Sequence, residues 1–383
     1  MGILVADIAR NIKRIIKRNK KLNILAIVTT IEFQNRATIE ALSKKYKNVR
    51  VVVKRNIKDY FKPKTQSIFV DIDYFYTLFP EKTSRKYKFI SFLELSISYF
   101  FLRKKLNNCD ICLVTSIHIT YLLPLLKNKY LISLFVDPYS LMNGFKSKKE
   151  EVLLAEQSDL LLCTSKQLAT TYCKKHLNID VEGHYWPNTA DLDRWNFDKF
   201  NERIITNEIV FGYAGNMNEI TIDLELVELL ISEFPEIKFR FAGSLNFSDP
   251  ENVKRMKNLL IPDNVSYIGK IPYESIQEEV FGWDVCLMLD NINELSKYVH
   301  HNKVYQYLAL GKVVVATKTH DDYSNLVEEI FEAETKENFI EKAREAIKVC
   351  RQQERISNRI KLARTESADV RAAQLMDIIK KNV

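Results

Sequence analysis

A lysine and a glutamine lie three residues apart in the stretch HHNKVYQYLALGKVVVAT, near the middle of the second half of the chain. If residues 301–310 form a helix, Lys303 and Gln306 share one face of it, in its first turns and directly after Asn302. A helix N-terminus favours anions, so Lys303 could neutralise a diphosphate there, while the Gln306 amide could bridge hydroxyl groups. Taken alone, Lys303 is more simply interpreted as a solvated surface lysine.

Chemistry on a hydroxyl group would also need a base that removes its proton, and the main candidate is Asp137 in LFVDPYS. It follows an apolar strand at its carboxyl end, where ligands of open parallel sheets bind. The alternative is an Asp that opens a turn before Pro138. Asp71 and Asp73, in SIFVDID, are weaker candidates. An ordinary surface or capping role explains the candidate histidines equally well, namely His118, His184, His300 and His301.

The loop GYAGNMNE follows another apolar strand. Six of the nine glycines lie between 212 and 311, several of them directly after strands, where backbone must approach a phosphate or turn tightly. We expect the backbone N–H groups of Gly215, Asn216 and Met217 to face a ligand. Glu219 is expected to cap the helix that follows. Plain turn chemistry is the alternative explanation for some of these glycines.

Apolar strands alternate with helices through most of the chain, which predicts parallel sheets covered on both faces. SIFVDID is the third predicted strand, only helices are predicted after residue 322, and a single helix is predicted over 355–382. The fold class is therefore α/β, with two doubly wound domains joined by a polar, proline-containing linker. The predicted divisions are an N-terminal helix at 1–21, a first domain at 22–187, a linker at 188–207, a second domain at 208–354 and a C-terminal helix at 355–383.

Charge is concentrated at the N-terminus of this 383-residue chain of net charge +8. Residues 1–21 contain seven Lys and Arg against one Asp, and residues 3–20 have the spacing of an amphipathic helix. Such a helix suits an anionic membrane surface, and a helix packed on its own domain is the equal alternative. The near-neutral body argues against a nucleic-acid partner. The basic residues expected at the membrane are Lys13, Arg14, Lys17 and Arg18.

Two further features concern location. No apolar run is long enough to span a bilayer, and the six cysteines sit mostly in apolar runs, as reduced core residues would. These features predict a cytoplasmic protein held peripherally on the inner face of the cell membrane. The aromatic stretch FISFLELSISYFFLRKK at 89–105 is best interpreted as a core helix with a basic end, and the alternative is a surface that dips into lipid.

Several motifs together resemble bacterial glycosyltransferases of the GT-B fold. FGYAGNMNE, FPEIKFRFAGS, NVSYIGKIPYESI, WDVCLML and NKVYQYLALGKVVVAT are similar, in order and spacing, to the C-terminal domain of that family. SDLLLCTSKQLA and WPNTADLDRW resemble its first-half strand and linker more weakly. The resemblance covers roughly 22–330. It implies two Rossmann-like domains facing a cleft, with a C-terminal helix that crosses back to the first domain.

The resemblance also implies roles for particular residues. The Lys-x-x-Gln pattern is similar to that of the xanthan glucuronosyltransferase group, in which these residues contact the nucleotide-diphosphate sugar, so Lys303 and Gln306 take that role here. The segment after NVSYIG holds the nucleotide base in the family, which maps to Lys270 and Ile271. The loop at 290–299 is expected over the sugar. Its candidate contacts are Glu294 and Tyr298, and Asn302, beside Lys303, is a further candidate contact to the donor.

One departure from the family bears on mechanism. Many retaining members carry a Glu-x7-Glu pair, and the corresponding positions here are Tyr298 and Gln306. The missing carboxylates favour an inverting transfer, with Asp137 as base and Lys303 stabilising the departing diphosphate. DID at 71–73 continues a strand and makes a poor DxD motif. No metal and no cofactor is expected beyond the nucleotide sugar, which serves as co-substrate.

The function predicted from these features is the transfer of a sugar from a nucleotide-diphosphate donor, such as a UDP-sugar. The expected acceptor is lipid-linked or a saccharide, in the biosynthesis of cell-surface polysaccharide or glycolipid. Two alternatives stay open. One is a nucleotide-sugar isomerase of the UDP-N-acetylglucosamine epimerase kind, and the other is a non-catalytic nucleotide-sugar-binding partner of a transferase.

Overall fold

The structure is a computed structural model that describes residues 8, 12, 13, 15, 22–29, 36–46, 48–142, 147–200, 207–324, 326 and 328–382. Two compact units make up the chain. The first consists of Met1–Thr189, Tyr298–His300 and Ala368–Val383, and the second of Ala190–Lys297 and His301–Ser367.

The first unit is built on a parallel sheet with the strand order β3-β2-β1-β4-β5-β6-β7. Its strands are β1 Ile24–Val28, β2 Val49–Asn56, β3 Asp71–Thr77, β4 Ile111–Val114, β5 Tyr130–Phe135, β6 Leu160–Cys163 and β7 His184–Tyr185. Strands β1, β4, β5 and β6 are buried along their whole length, as parallel strands covered on both faces should be. The helices are α1 Arg36–Lys45, α2 Glu81–Lys86, α3 Lys88–Asn107, α4 Leu123–Leu126, α5 Lys148–Gln157 and α6 Leu168–Leu177.

Strand β3 begins four residues later than predicted. The apolar run before it docks on helix α1 instead, where Ser43 Oγ donates a 2.6 Å hydrogen bond to the Phe69 carbonyl. The Lys44 ammonium lies 4.1 Å from the centre of the Phe69 ring. Asp71 and Asp73 therefore lie at the amino end of the strand, as its first and third residues. That is the edge opposite to the one where Asp137 follows β5, so neither is placed to act as the predicted base.

The second unit repeats the plan with a parallel sheet in the order β10-β9-β8-β11-β12-β13. Its strands are β8 Val210–Ala214, β9 Lys238–Ala242, β10 Val265–Gly269, β11 Val285–Met288, β12 Val313–Thr317 and β13 Ile330–Ala333. Its helices are α7 Leu224–Glu233, α8 Pro250–Leu259, α9 Ile276–Phe281, α10 Lys303–Ala309, α11 Lys336–Val349 and α12 Gln353–Thr365. The prediction of an α/β fold with two doubly wound parallel sheets is confirmed.

Strand β13 was missed because it is a short edge strand in which only the two end residues, Ile330 and Ala333, are buried. The predicted single C-terminal helix is also two helices. Helix α12 belongs to the second unit, and α13, Ala368–Asn382, belongs to the first. Leu375 and Ile379 of α13 pack in the core of the first unit, beside α1. The last helix thus returns to the first unit, as predicted.

The described apolar residues of the N-terminal segment pack against the protein itself. Ile12 is 2% exposed, and Ile8 and Ile15 pack against the same core. This matches the alternative of a helix packed on its own domain. Lys13 is exposed, while the other predicted membrane-contacting residues lie outside the described residues, namely Arg14, Lys17 and Arg18.

The six cysteines are free and buried, which agrees with their interpretation as reduced core residues. In the described part of the chain, no helix is both long and apolar enough to cross a membrane.

Candidate functional site

Three adjacent strands of the second sheet end in closely packed glycine backbone. The Gly215 N–H donates to the Ala242 carbonyl at 2.9 Å, and the Gly243 N–H donates to the Gly269 carbonyl at 2.8 Å. Gly243 has a φ of +133°, and a Cβ there would lie 1.8 Å from the Gly215 carbonyl oxygen. Only glycine fits this position, because any side chain would collide with the neighbouring backbone.

The side chain of Lys303 reaches this edge from the start of helix α10. Its Nζ lies 3.4 Å from the Ala214 carbonyl oxygen and 4.3 Å from the centre of the Tyr213 ring. A Cβ at Gly215 would stand 3.0 Å from the same nitrogen, so the glycine leaves room for the ammonium group. The Tyr307 hydroxyl accepts from the Ala214 N–H at 3.2 Å and ties α10 to the end of β8. Lys303 and Gly215, which were both predicted to contact the donor, therefore lie together, and the donor contact itself stays a prediction.

Two of the three backbone amides predicted to face a ligand are engaged within the protein. Besides the Gly215 amide, the Met217 N–H donates to the Ser244 carbonyl at 2.8 Å, and the Met217 side chain is fully buried. The residue between them, Asn216, is exposed, and its side-chain oxygen accepts from the Asn246 amide. The predicted amide cradle is wrong for Gly215 and Met217, and Asn216 is the exposed member of this loop.

Glu219 does not cap the helix that follows it, and it binds the segment before α8 instead. Its Oε1 accepts from the Ser248 hydroxyl and the Asp249 N–H, at 2.9 and 2.8 Å, just before α8. Hydrogen bonds from the backbone N–H groups of Asp249, Glu219 and Ser248 lower the pKa of Glu219 to about 2. The helix that directly follows, α7, is capped by Asp223, which accepts from the Leu226 N–H at 3.1 Å.

Gln306 is buried in a polar network that the sequence did not indicate. Its Nε2 donates to the Tyr273 hydroxyl at 3.2 Å, and the indole N–H of Trp195 donates to the same hydroxyl at 3.1 Å. The Tyr273 hydroxyl lies 3.5 Å from Asp191 Oδ2, which also forms a 2.8 Å ion pair with Arg194. Gln306 shares the second unit with Lys303, but its amide nitrogen already has a partner.

A buried carboxylate lies at the end of strand β11. Asp290 is 7% exposed, and its Oδ1 is 3.0 Å from His301 Nε2. Burial alone would raise the pKa of Asp290. The charges of His301, Lys303 and His320 and the hydrogen bond from His301 outweigh burial, so the pKa lies below its ordinary value. An aspartate directly after an apolar strand was the signal in the sequence, and it was not used.

Asp137 in the first unit directly follows Val136, the residue after strand β5. The Tyr139 N–H donates to the Asp137 carbonyl at 3.0 Å, which makes the tight turn that was the alternative interpretation. The next turn is fixed by Glu151, which accepts from the Ser140 N–H at 2.9 Å. Asp137 thus stands at the carboxyl edge of its sheet on a turn held by a buried carboxyl group.

The remaining residues that were predicted to contact the donor lie in several different environments. Lys270 is exposed beside Gly269, and Ile271 packs against the second unit's core. Glu294 forms a 2.9 Å ion pair with Lys297 in the exposed loop. Asn302 is half-buried and precedes α10, where its carbonyl accepts from the Tyr305 N–H.

Tyr298 does not fit the predicted ligand contact. It is 3% exposed and belongs to the first unit, where its hydroxyl is 3.0 Å from His176 Nε2. Its ring centre is 5.3 Å from that of Tyr172. The aromatic side chain is a core residue. Within the described residues, no group of three or more His, Cys, Asp or Glu is arranged as a metal site.

Comparison with solved structures identifies the fold. No protein-family model matches the sequence, and the search of curated proteins found no significant match. Anabaena Alr3699/HepE, solved in complex with UDP, gives a TM-score of 0.68 at 12% identity, covering 94% of this chain and 100% of that chain. Sucrose-phosphate synthase from Thermosynechococcus elongatus gives 0.71 at 12% identity, covering 94% of this chain and 98% of that chain.

A third similar structure is UDP-GlcNAc 2-epimerase from Neisseria meningitidis, bound to UDP-GlcNAc. Its TM-score is 0.59 at 13% identity, with 94% of this chain and 100% of that chain covered. Together with the two parallel sheets, these likenesses define the class to which the structure belongs. The chain has the GT-B fold.

Proposed function

We propose that the chain is a glycosyltransferase that moves a sugar from a nucleotide-diphosphate donor onto an acceptor hydroxyl. UDP-sugars are the first donors to test. The observation that carries the proposal is the position of the Lys303 ammonium beside the backbone of Ala214 and Gly215. HepE, which shares the fold, was crystallised with UDP and with UDP-glucose. That likeness supports a UDP-sugar as the donor.

The Lys303 ammonium group is suited to bind an anionic ligand. Among the described residues, no carboxylate lies within 4.0 Å of its Nζ, and its contacts are the Ala214 carbonyl and the side chain of Tyr213. The buried carboxylate of Asp290 offsets part of the Lys303 charge from farther away. An ammonium group has three donors, so this environment leaves donor capacity unused and the positive charge only partly offset. A diphosphate supplies negative charge and acceptor oxygens together. Asn302, Asn216 and Lys270 are further proposed donor contacts, with Glu294 and Ile271 beyond them.

The proposed transfer assigns separate roles to Asp137 and Lys303. Asp137 takes the proton of the acceptor hydroxyl as its oxygen forms a bond to the anomeric carbon. The bond from that carbon to the diphosphate breaks, and its electron pair leaves on the diphosphate oxygen. Lys303 offsets the growing negative charge, so the chemistry needs no metal ion. A single displacement of this kind inverts the anomeric configuration.

Nucleotide binding is tested with UDP and other nucleotide diphosphates by thermal shift and calorimetry. Lys303→Ala removes a charge-assisted contact, so UDP affinity should fall by about 10- to 100-fold. Lys257→Ala changes an exposed lysine of α8 in the same unit and should leave the affinity unchanged. Equal UDP affinity in the Lys303→Ala variant and the wild type would remove the observation on which the proposal depends.

Turnover is tested by measuring nucleotide diphosphate release from nucleotide sugars, with and without lipid-linked or saccharide acceptors. A transferase releases the diphosphate in an acceptor-dependent way. Asp137→Asn should bind the donor normally and lose turnover, because an amide cannot accept the proton. Full activity in this variant would disprove the assignment of the base.

The same experiment distinguishes the alternatives. The likeness to the Neisseria epimerase favours an isomerase as second candidate. An isomerase would convert UDP-GlcNAc without any acceptor, which nuclear magnetic resonance of the sugar product would detect. A non-catalytic partner would bind nucleotide sugars and turn over none of them.

The cellular setting belongs to the same proposal. We assign the acceptor to the lipid-linked or saccharide class and the pathway to cell-surface polysaccharide or glycolipid synthesis. The basic residues Lys13, Arg14, Lys17 and Arg18 are proposed to attract an anionic membrane surface from the cytoplasmic side. Because Ile8, Ile12 and Ile15 pack on the protein, that attraction would be electrostatic and should weaken with salt.

A further inference from the structure

Helix α3 of the first unit has its polar side turned inward. Its fully buried residues include Glu94 and Ser98, followed by two leucines. Its opposite side exposes large aromatic rings, and Phe89, Phe92 and Phe100 are 77%, 66% and 66% exposed. A helix on the surface of a globular domain has the reverse arrangement, with its apolar stripe towards the core. The prediction that this stretch forms a core helix is therefore wrong for its aromatic side.

Specific hydrogen bonds hold the helix in this orientation. Glu94 Oε1 accepts from the Phe79 N–H at 2.7 Å, and the Ser98 hydroxyl lies 3.1 Å from that of Tyr121. Rotating α3 to bury its aromatic side would break both interactions and expose Leu102, which is 1% exposed. The aromatic side is thus kept outward by the buried polar one.

The exposed side combines apolar rings with positive charge. Residues 89, 92, 96, 100 and 103 follow helical spacing and form one stripe about 21 Å long. Arg103 lies on this stripe, with its guanidinium 5.2 Å from the Phe100 ring centre. Lys88 and Lys104 are exposed nearby on the same helix. Glu94 is the only acidic residue in α3, and it is buried, so no carboxylate interrupts the exposed side.

We propose that this side of α3 is an interfacial binding surface for an anionic lipid bilayer. Such surfaces combine aromatic rings, which enter the headgroup region, with Lys and Arg side chains, which contact lipid phosphates. Helix α3 does not meet the requirement for crossing a membrane, so it would lie in the interface. A second copy is a poorer occupant, because symmetric pairing would bring the cations Lys88, Arg103 and Lys104 of both helices together. The proposal is independent of the proposed sugar transfer.

The test is cosedimentation of the full chain with vesicles of phosphatidylcholine and phosphatidylglycerol, and with phosphatidylcholine alone. The wild type should bind the anionic vesicles, and binding should weaken as salt is raised. Replacing Phe89, Phe92 and Phe100 together by serine should reduce partitioning on the order of 100-fold, because three rings no longer enter the interface. The matched control replaces exposed Ile261 and Ile292 of the second unit by serine, and should change little.

A second pair of variants tests the charge. Arg103→Gln with Lys104→Gln should lower binding to anionic vesicles by about 10-fold or more and leave binding to phosphatidylcholine alone unchanged. The control is Lys254→Gln with Lys257→Gln, two exposed lysines of α8. Equal melting temperatures would establish that all variants fold.

Three results would overturn the proposal. The wild type could fail to bind anionic vesicles. The triple serine variant could bind them like the wild type, which would leave the N-terminal basic residues as the source of binding. Finally, sedimentation equilibrium without lipid could reveal self-association that the triple variant loses, which would make a second copy the occupant of this surface.

Discussion

Replacing Glu151 by glutamine tests whether one buried carboxyl group makes the first unit less stable as pH rises. Glu151 lies on α5 beneath the turn that follows Asp137. Its carboxylate accepts from the Tyr172 hydroxyl at 2.8 Å and from the Ser140 N–H at 2.9 Å. Burial raises its pKa from 4.5 to about 7, and the hydrogen bonds from Tyr172 and Ser140 oppose the rise without cancelling it.

The sign of the effect follows from where the proton is bound. Between pH 4.5 and about 7 the folded protein keeps a proton on Glu151 that the unfolded chain has lost. Stability from this group is therefore complete below pH 4.5 and declines as pH rises to about 7. A difference of roughly 2.5 pH units corresponds to about 3 kcal/mol in the free energy of unfolding.

Glutamine removes the ionisation and can keep the hydrogen bonds. Its carbonyl oxygen can accept from the Ser140 N–H, and its amide can donate to the Tyr172 hydroxyl. That hydroxyl can then donate to Ser140 Oγ, which lies 2.6 Å away. Glu151→Gln should therefore be more stable than the wild type at pH 8, by up to about 3 kcal/mol, and the gain should fade towards pH 4.5.

Urea unfolding followed by tryptophan fluorescence between pH 4.5 and 8 provides the assay. Trp186 is the tryptophan of the first unit, so both proteins carry Trp195→Phe and Trp283→Phe to make it the reporter. The control is Glu156→Gln, an exposed residue on the same helix, which should leave the pH dependence unchanged. Parallel stability curves for Glu151→Gln and the wild type across this pH range would refute the reasoning.

Three further predictions concern the second unit and are checked by urea unfolding. Gly243→Ala should destabilise it by about 2 kcal/mol or more, because the new Cβ meets the Gly215 carbonyl at a φ of +133°; a change below about 0.5 kcal/mol would contradict this. His301→Leu leaves Asp290 buried without its imidazole partner and should cost about 1–3 kcal/mol at neutral pH, less as acid protonates Asp290. Arg359→Leu should cost about 3–5 kcal/mol, since Arg359 is fully buried and holds a carboxylate and three carbonyl groups.

The sequence predicted the sheets well because most of their strands contain an apolar run bounded by turn residues. It assigned Lys303 and the loop after β8 to one donor site, and the two lie side by side because parallel strands bring their carboxyl ends to one edge. The donor contact itself stays a prediction. The prediction of strands failed where an apolar run in the sequence did not coincide with a strand of the sheet. Strand β13 is such a case. Strand β3 is another, because the apolar run before it packs on a helix and the first four residues of the strand alternate between exposed and half-buried.

Long-range hydrogen bonds account for most of what the sequence missed in the candidate site. Gln306 hydrogen-bonds to Tyr273, which is 33 residues away in sequence, and Tyr273 accepts from Trp195, which is 78 residues away. Local residue spacing does not predict such hydrogen bonds, because they depend on how α10 packs against segments from elsewhere in the chain. Tyr298 illustrates the same limit, because its position in the loop before α10 suggested a ligand contact, whereas its ring is packed in the first unit.

The orientation of α3 follows from the same physics. Its spacing separates an aromatic stripe, which contains Phe92 and Phe100, from a stripe that contains Glu94 and Ser98. A hydrophobic-core argument would bury the aromatic stripe, but the buried partners of the polar stripe come from other segments, namely the Phe79 N–H and the Tyr121 hydroxyl. A buried carboxylate with a hydrogen-bond donor is tolerated, and one without a donor is costly. The sequence therefore defines two faces, and it is the tertiary hydrogen bonds that turn the aromatic one outward.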